Sequence, residues 1–162
     1  MKSEFSIIKL MVYDFDGVMT DNRAYIDEAG NEMVMVNRSD GLAISMFRER
    51  GMLQLILSTE RNPVVAKRAE KLGIECMSGV SNKEKRFIQY CMDNSIDTEK
   101  AAFVGNDIND IGVMRVAGFS LCPSDSYRAV QEVADYVLNT RGGMGVIREI
   151  YDLMVSDMVD NE

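Results

Sequence analysis

The chain contains no histidine and no tryptophan, and only three cysteines and two prolines, in 162 residues. Without histidine, Ser-His-Asp and Cys-His catalysis, phosphohistidine chemistry and histidine metal sites are excluded. Any metal must be held by oxygen, which favours magnesium. Cys76, Cys91 and Cys122 are widely spaced and form no Cys-x-x-Cys pair. They read as small buried side chains of a reducing compartment. Positive charge is scarce as well. Against 26 Asp and Glu stand 18 Lys and Arg, a formal net charge of −8, and no basic tract stands out, which argues against nucleic acid as a partner. An acidic protein still binds an anionic substrate where a metal and a few lysines make one pocket positive. No apolar run is long enough to span a membrane, and Met1–Leu10 carries Glu4 and Lys9 where a signal peptide would be apolar. A cytoplasmic location is expected.

With 46% hydrophobic and 27% charged residues the chain reads as globular, and its length suits a single domain, 1–162, with its own core. Apolar runs alternate with amphipathic segments. Strands are expected at Ile7–Tyr13, Met52–Leu57, Ile74–Met77, Ala101–Val104, Phe119–Cys122 and Tyr136–Leu138. Helices are expected at Gly41–Arg50, Val64–Leu72, Lys83–Asn94, Ile108–Ala117, Ser126–Val133 and Val146–Met158. Gly51, Gly73 and Gly118 follow three of them, where a left-handed cap is wanted. Asp40, Asn82 and Ser124 or Asp125 can cap helix starts, and Pro63 suits a first turn. The alternation predicts an α/β fold: a doubly wound, Rossmann-like parallel sheet with helices on both faces. A β-hairpin insertion at about 21–37 interrupts it, with Asp27–Asn31 as the turn. Its apolar residues fall on both faces, which a solvent-exposed hairpin does not need.

Chemistry-bearing residues collect at the carboxyl ends of these strands, where open α/β sheets bind ligands. The first strand ends in Asp14-Phe15-Asp16-Gly17. Two acids one residue apart repel and cost desolvation, which a divalent cation offsets. The second core strand ends in Ser58-Thr59, Lys83 opens a helix after the third, and the fourth runs into Gly105-Asn106-Asp107-Ile108-Asn109-Asp110. A nucleophilic carboxylate, a hydroxyl, a lysine and a second acidic cluster suit metal-assisted phosphoryl transfer through an aspartyl phosphate. Taken singly, Ser58 is a turn hydroxyl and Lys83 a solvated helix residue; their common placement at strand ends is what joins them. Cys122 and Arg128 have the spacing of a cysteine-phosphatase loop, but no glycines lie between them to form a phosphate cradle.

In their order along the chain, Asp14-Phe15-Asp16-Gly17-Val18, Ser58, Lys83 and Gly105–Asp110 resemble the four motifs of the haloacid dehalogenase-like phosphatases. The resemblance runs from about Ile8 to Ile150. It extends to the capless branch that hydrolyses phosphorylated eight- and nine-carbon keto sugar acids, through Asp16–Asp21, Gly30-Asn31-Glu32, Ser39-Asp40-Gly41 and the tail Arg141–Glu149. It implies Asp14 as nucleophile and Asp16 as general acid and base, with Ser58 and Lys83 on phosphate oxygens. Mg²⁺ is implied between Asp14, the Asp16 carbonyl and the second cluster, of which Asn106 and Asp107 are the candidate ligands. Asn106 stands where the family has Asp, so charge at the metal is lower, and Asp107 or Asp110 is open as compensation. Thr59 stands where glycine is common. Glu60 takes the place of an arginine found in octulosonate 8-phosphate phosphatases, which implies a nine-carbon, sialic acid-type 9-phosphate as substrate. Glu60, Lys71 and Thr59 are then sugar contacts, with Arg148 on the phosphate or a neighbouring subunit. The alternatives are 3-deoxy-octulosonate 8-phosphate, or a decayed module attached to an acylneuraminate-activating enzyme. The branch further implies a homotetramer whose hairpins pack together while neighbours cover each open site.

Overall fold

The structure, a computed structural model, describes residues 7–159. Its described strands are β1 (Leu10–Tyr13), β2 (Thr20–Ile26), β3 (Glu32–Val36), β4 (Leu53–Leu57), β5 (Glu75–Met77), β6 (Ala101–Val104), β7 (Phe119–Cys122) and β8 (Tyr136–Val137). The helices are α1 (Arg38–Glu49), α2 (Val64–Leu72), α3 (Lys83–Asp93), α4 (Ile111–Val116), α5 (Arg128–Gln131) and α6 (Val146–Val159). Six strands form one parallel sheet in the order β5-β4-β1-β6-β7-β8. The predicted doubly wound sheet is present, and no cap domain covers it among the described residues.

β1 lies in the middle, which explains its unbroken apolar sequence: a strand covered on both faces has no polar face to alternate with. Met11 and Tyr13 point into one layer with Ala43, Ile44 and Phe47 of α1, Val65 and Ala69 of α2, and Val146, Ile147 and Ile150 of α6. Leu10 and Val12 point the other way, onto Phe87 and Cys91 of α3 and Val113 and Met114 of α4. Burying each such side chain contributes roughly 1.5–3 kcal/mol, so the two layers together fix where β1 ends.

Some boundaries differ from the sequence reading. β1 begins at Leu10, and Ile7 is exposed. α1 starts at Arg38 with Asn37 as its cap, the Asn37 side chain accepting from Ser39 N at 2.9 Å. Asp40, expected as that cap, is buried and caps another helix: Oδ1 accepts from Ile147 N (2.9 Å) and Arg148 N (3.1 Å) of α6. Asp125 does not cap α5 but accepts from Gly142 N at 2.9 Å and pairs with Arg141. Asn82 caps α3 as expected. Gly51 and Gly73 take left-handed conformations, whereas Gly118 does not; a Cβ there would overlap the Glu99 backbone.

β2 and β3 form a separate antiparallel hairpin. Val34 and Val36 lean on the core, while Tyr25 (66%), Ile26 (70%), Met33 (62%) and Met35 (46%) stand out in solvent. No helix among the described residues is long and apolar enough to cross a membrane.

Candidate active site

The loop carrying Asp14, the candidate nucleophile, begins where β1 stops. Asp14 N still donates to Val104 O of β6 at 2.9 Å, after which the chain folds on itself. Met19 N and Thr20 N both donate to Phe15 O, at 2.9 and 3.2 Å, and buried Phe15 anchors the turn. Asp14 and Asp16 therefore do not share a strand face as an extended continuation would have it. The Asp16 carboxylate is turned to Thr20, whose Oγ1 donates to Asp16 Oδ1 at 3.3 Å and accepts from Gly17 N at 3.2 Å. Gly17 has φ +81°, and a Cβ there would overlap the Asn106 carboxamide. Both conditions require glycine.

Asp14 is almost fully buried, and its Oδ1 lies 2.7 Å from Lys83 Nζ. Phe15 N donates to the same oxygen at 2.7 Å. Lys83, the first residue of α3, also stands 2.6 Å from Asp110 Oδ1. Asp110 is wholly buried, and its Oδ2 accepts from Asn106 N (2.9 Å) and Asp107 N (3.3 Å). One acid thus fixes both the lysine and the loop after β6. Asp110, read from the sequence only as a compensating metal ligand, is a bracing residue instead. The signal was its place three residues after Asp107; the partner 27 residues away could not be read.

These neighbours set the charges. Burial, reinforced by the Asp110 charge, pushes the Asp14 carboxyl up to about 7 against the opposing pull of Lys83. Burial works against the Lys83 ammonium, but Asp14 and Asp110 outweigh it and hold its pKa above the usual lysine value. Asp16 is also raised, by burial first, with the Thr20 hydrogen bond pulling the other way and Glu60 and Glu32 adding to the rise. Both carboxyls are thus moved toward the range in which acid–base chemistry operates.

The remaining expected residues divide. Ser58 is buried at the end of β4, with Oγ accepting from Glu60 N at 3.0 Å. Thr59 follows it, exposed. Glu60 Oε1 accepts from Arg61 N (2.6 Å) and Asn62 N (2.7 Å), so one carboxylate oxygen shapes its own loop while its charge is felt at Asp16. Asp107 is not turned to Asp14. Its Oδ1 accepts from Ile108 N at 2.6 Å and caps the short 3-10 turn Ile108–Asp110. Lys71 lines a separate cleft of about 320 Å³ between α1 and α2, with Arg38, Arg48 and Arg68. Arg148 lines another, beside Met144 and Asp152, and pairs with Asp152. Neither reaches Asp14 within this one chain. Cys122 is buried, its thiol pushed up by that burial, and Arg128 pairs with Glu132 in solvent. A thiolate nucleophile has no place there.

A cation could be held beside Asp14. The Asn106 carboxamide lies 2.8 Å from Asp16 O and 3.3 Å from Asp14 Oδ2. An octahedral Mg²⁺ with ligands at about 2.1 Å needs oxygens about 3 Å apart along each edge. The separations of the Asn106 amide position from Asp16 O and from Asp14 Oδ2 are of that order, so these three groups could hold the ion. Among the described residues no three acidic, cysteine or histidine side chains converge on one point, so this donor set carries a single carboxylate charge.

Residues 51–150 match the haloacid dehalogenase-like hydrolase family. The chain belongs to this family. This haloacid dehalogenase-like hydrolase is 29% identical over 156 residues to the 3-deoxy-D-manno-octulosonate 8-phosphate phosphatase of Haemophilus influenzae, covering 96% of this chain and 87% of that one. It superposes on a haloacid dehalogenase-family hydrolase from Streptomyces avermitilis with TM-score 0.90 and 41% identity, over 94% and 88% of the two chains. A third relative is the octulosonate phosphatase of Moraxella catarrhalis, solved with magnesium, phosphate and the sugar acid (TM-score 0.92, 25% identity, 96% and 90% covered). The phosphatase chemistry and the Mg²⁺ requirement read from Asp14, Lys83 and the oxygen-only donor set agree with these relatives.

Proposed function

We propose that this hydrolase removes phosphate from a phosphorylated 2-keto-3-deoxy sugar acid, with 3-deoxy-octulosonate 8-phosphate as its substrate. The observation that carries the reaction is the buried Asp14–Lys83–Asp110 chain at the carboxyl end of the central strand. The printed activities of the relatives carry the sugar acid. Asp14 Oδ1 attacks phosphorus and the bond to the sugar oxygen breaks. Asp16, whose carboxyl burial pushes above the usual aspartate value, gives a proton to the departing alkoxide. It then takes one from the water that cleaves the aspartyl phosphate, returning Asp14 and inorganic phosphate. Lys83 stays cationic beside the transferring group, and the Ser58 hydroxyl is in place for a phosphate oxygen. Mg²⁺, when bound, neutralises charge on the phosphoryl oxygens.

One observation favours a second reading, the nine-carbon 9-phosphate. Glu60 presents a carboxylate on the Asp16 side where a guanidinium is implied for the eight-carbon enzymes. The exposed hairpin residues Tyr25, Ile26, Met33 and Met35 support the homotetramer, in which neighbouring subunits bring cationic side chains such as Lys71 and Arg148 to one another's open sites. Phosphate release with Mg²⁺ from both substrates, beside an Asp14→Asn control, tests the reaction. Release that persists in the control refutes Asp14 as nucleophile, and a preference for the nine-carbon compound moves the substrate to the second reading.

A further inference from the structure

Asn106 is held on both sides by its backbone: its N–H donates to Asp110 Oδ2 at 2.9 Å, and its carbonyl accepts from Tyr127 N at 3.2 Å. The side chain is 5% exposed. What freedom it has is rotation of the terminal amide, which is close to two-fold. The two orientations are chemically opposite. With Nδ2 turned to the nucleophile loop, Asn106 donates to Asp16 O at 2.8 Å and reaches Asp14 Oδ2 at 3.3 Å. With Oδ1 turned there, acceptor oxygens face one another over the same distances, a repulsion that a cation between them relieves.

We propose that Asn106 is a two-position gate on the cation site, closing it with its own amide nitrogen when metal is absent and turning its oxygen inward when metal binds. This rests on the Mg²⁺ reading of the site. A carboxylate at this position has only the second option. It would hold a cation more strongly, but without one it would set a negative oxygen against Asp14 and the Asp16 carbonyl. The amide exchanges affinity for a metal-free state in which the Asp16 carbonyl is bonded. Gly17 is part of the device, because any side chain there would press on the amide from behind.

The test compares the full chain with its Asn106→Asp variant by calorimetric Mg²⁺ titration and by thermal melting with and without Mg²⁺. The variant is expected to bind Mg²⁺ about tenfold or more tightly. It should melt lower than the parent in chelator and gain more from added Mg²⁺. In parallel, the Asn106 side-chain NH₂ resonances of the unsubstituted protein report the rotation directly. They should exchange slowly with solvent in chelator, and shift and lose that protection on Mg²⁺ saturation. Equal Mg²⁺ affinity and equal melting of the two proteins, or NH₂ protection unchanged by Mg²⁺, overturns the gate while leaving the phosphatase reading intact. Absence of Mg²⁺ binding by both proteins overturns the gate and the metal reading together.

Discussion

Asp110 Oδ1 lies 2.6 Å from Lys83 Nζ, with neither side chain open to solvent. The pair does two jobs, since the other Asp110 oxygen holds the loop that carries Asn106. Asp110→Asn leaves the lysine with Asp14 alone and loosens that loop. Because Asp14 still compensates Lys83, the cost is about 1.5–3 kcal/mol, that of a lost charge-assisted hydrogen bond, readable as a lower urea midpoint.

The same substitution has a pH signature. In the proposed reaction Asp14 attacks as the carboxylate, and burial together with the Asp110 charge pushes its pKa up to about 7. Phosphate release at limiting Mg²⁺ should therefore fall as pH drops through that value. Removing the Asp110 charge should move this acid limb to lower pH. A limb that stays in place would show that Asp110 acts on the loop and not on the nucleophile.

Asp40 gives a second pH dependence, on stability. Burial pushes its carboxyl from 3.8 to about 6 in the fold, against the pull of the Arg148 and Ile147 N–H groups. The unfolded chain ionises first, so the contribution of Asp40 is greatest below about pH 4 and declines as pH rises through about 6. The linked loss is about 3 kcal/mol between pH 4 and 7. Asp40→Asn keeps an oxygen for both N–H groups and loses the titration. Urea unfolding at the two pH values should show the variant gaining on the parent by roughly that amount.

How far could these residues be read without coordinates? The strands could, because β1 and β6 are apolar without interruption and β4 is broken only by Gln54, as strands buried on both faces tend to be. Asp14, Ser58 and Lys83 could, because each sits at the end of such a strand or the start of the next helix. Asp40 could not. Its position before an amphipathic run is what a local cap looks like, and its actual partners, Ile147 and Arg148, are more than a hundred residues on. Asp107 and Asp110 were ambiguous for a related reason: two acids three apart suit either a cation or a capped turn, and only the Lys83 contact decides between them.

The hairpin predicts assembly. Tyr25, Ile26, Met33 and Met35 are exposed on a chain with a formal charge of −8, and an exposed apolar cluster of this kind marks a contact surface. Light scattering should give a tetramer for the parent, and Tyr25→Glu with Met33→Glu should lower the mass. A parent that is monomeric at full activity would remove the tetramer from the proposal.

Substitution of Glu60 distinguishes the two substrate readings. One of its oxygens is committed to Arg61 N and Asn62 N, leaving the other for a sugar hydroxyl. Glu60→Gln can keep the loop acceptor while replacing the free oxygen with a donor. If that oxygen reads a hydroxyl found only on the nine-carbon acid, kcat/KM for the 9-phosphate should fall by about 10²-fold or more, the scale of an unpaired polar contact in a closed site. The 8-phosphate should then change little. The charge acts separately, because Glu60 adds to the raised pKa of Asp16. Its removal should bring the basic limb, where Asp16 loses the proton it donates, to lower pH for both substrates. A shifted limb with no change in preference would therefore make Glu60 a tuner of the general acid and not a selector of sugars.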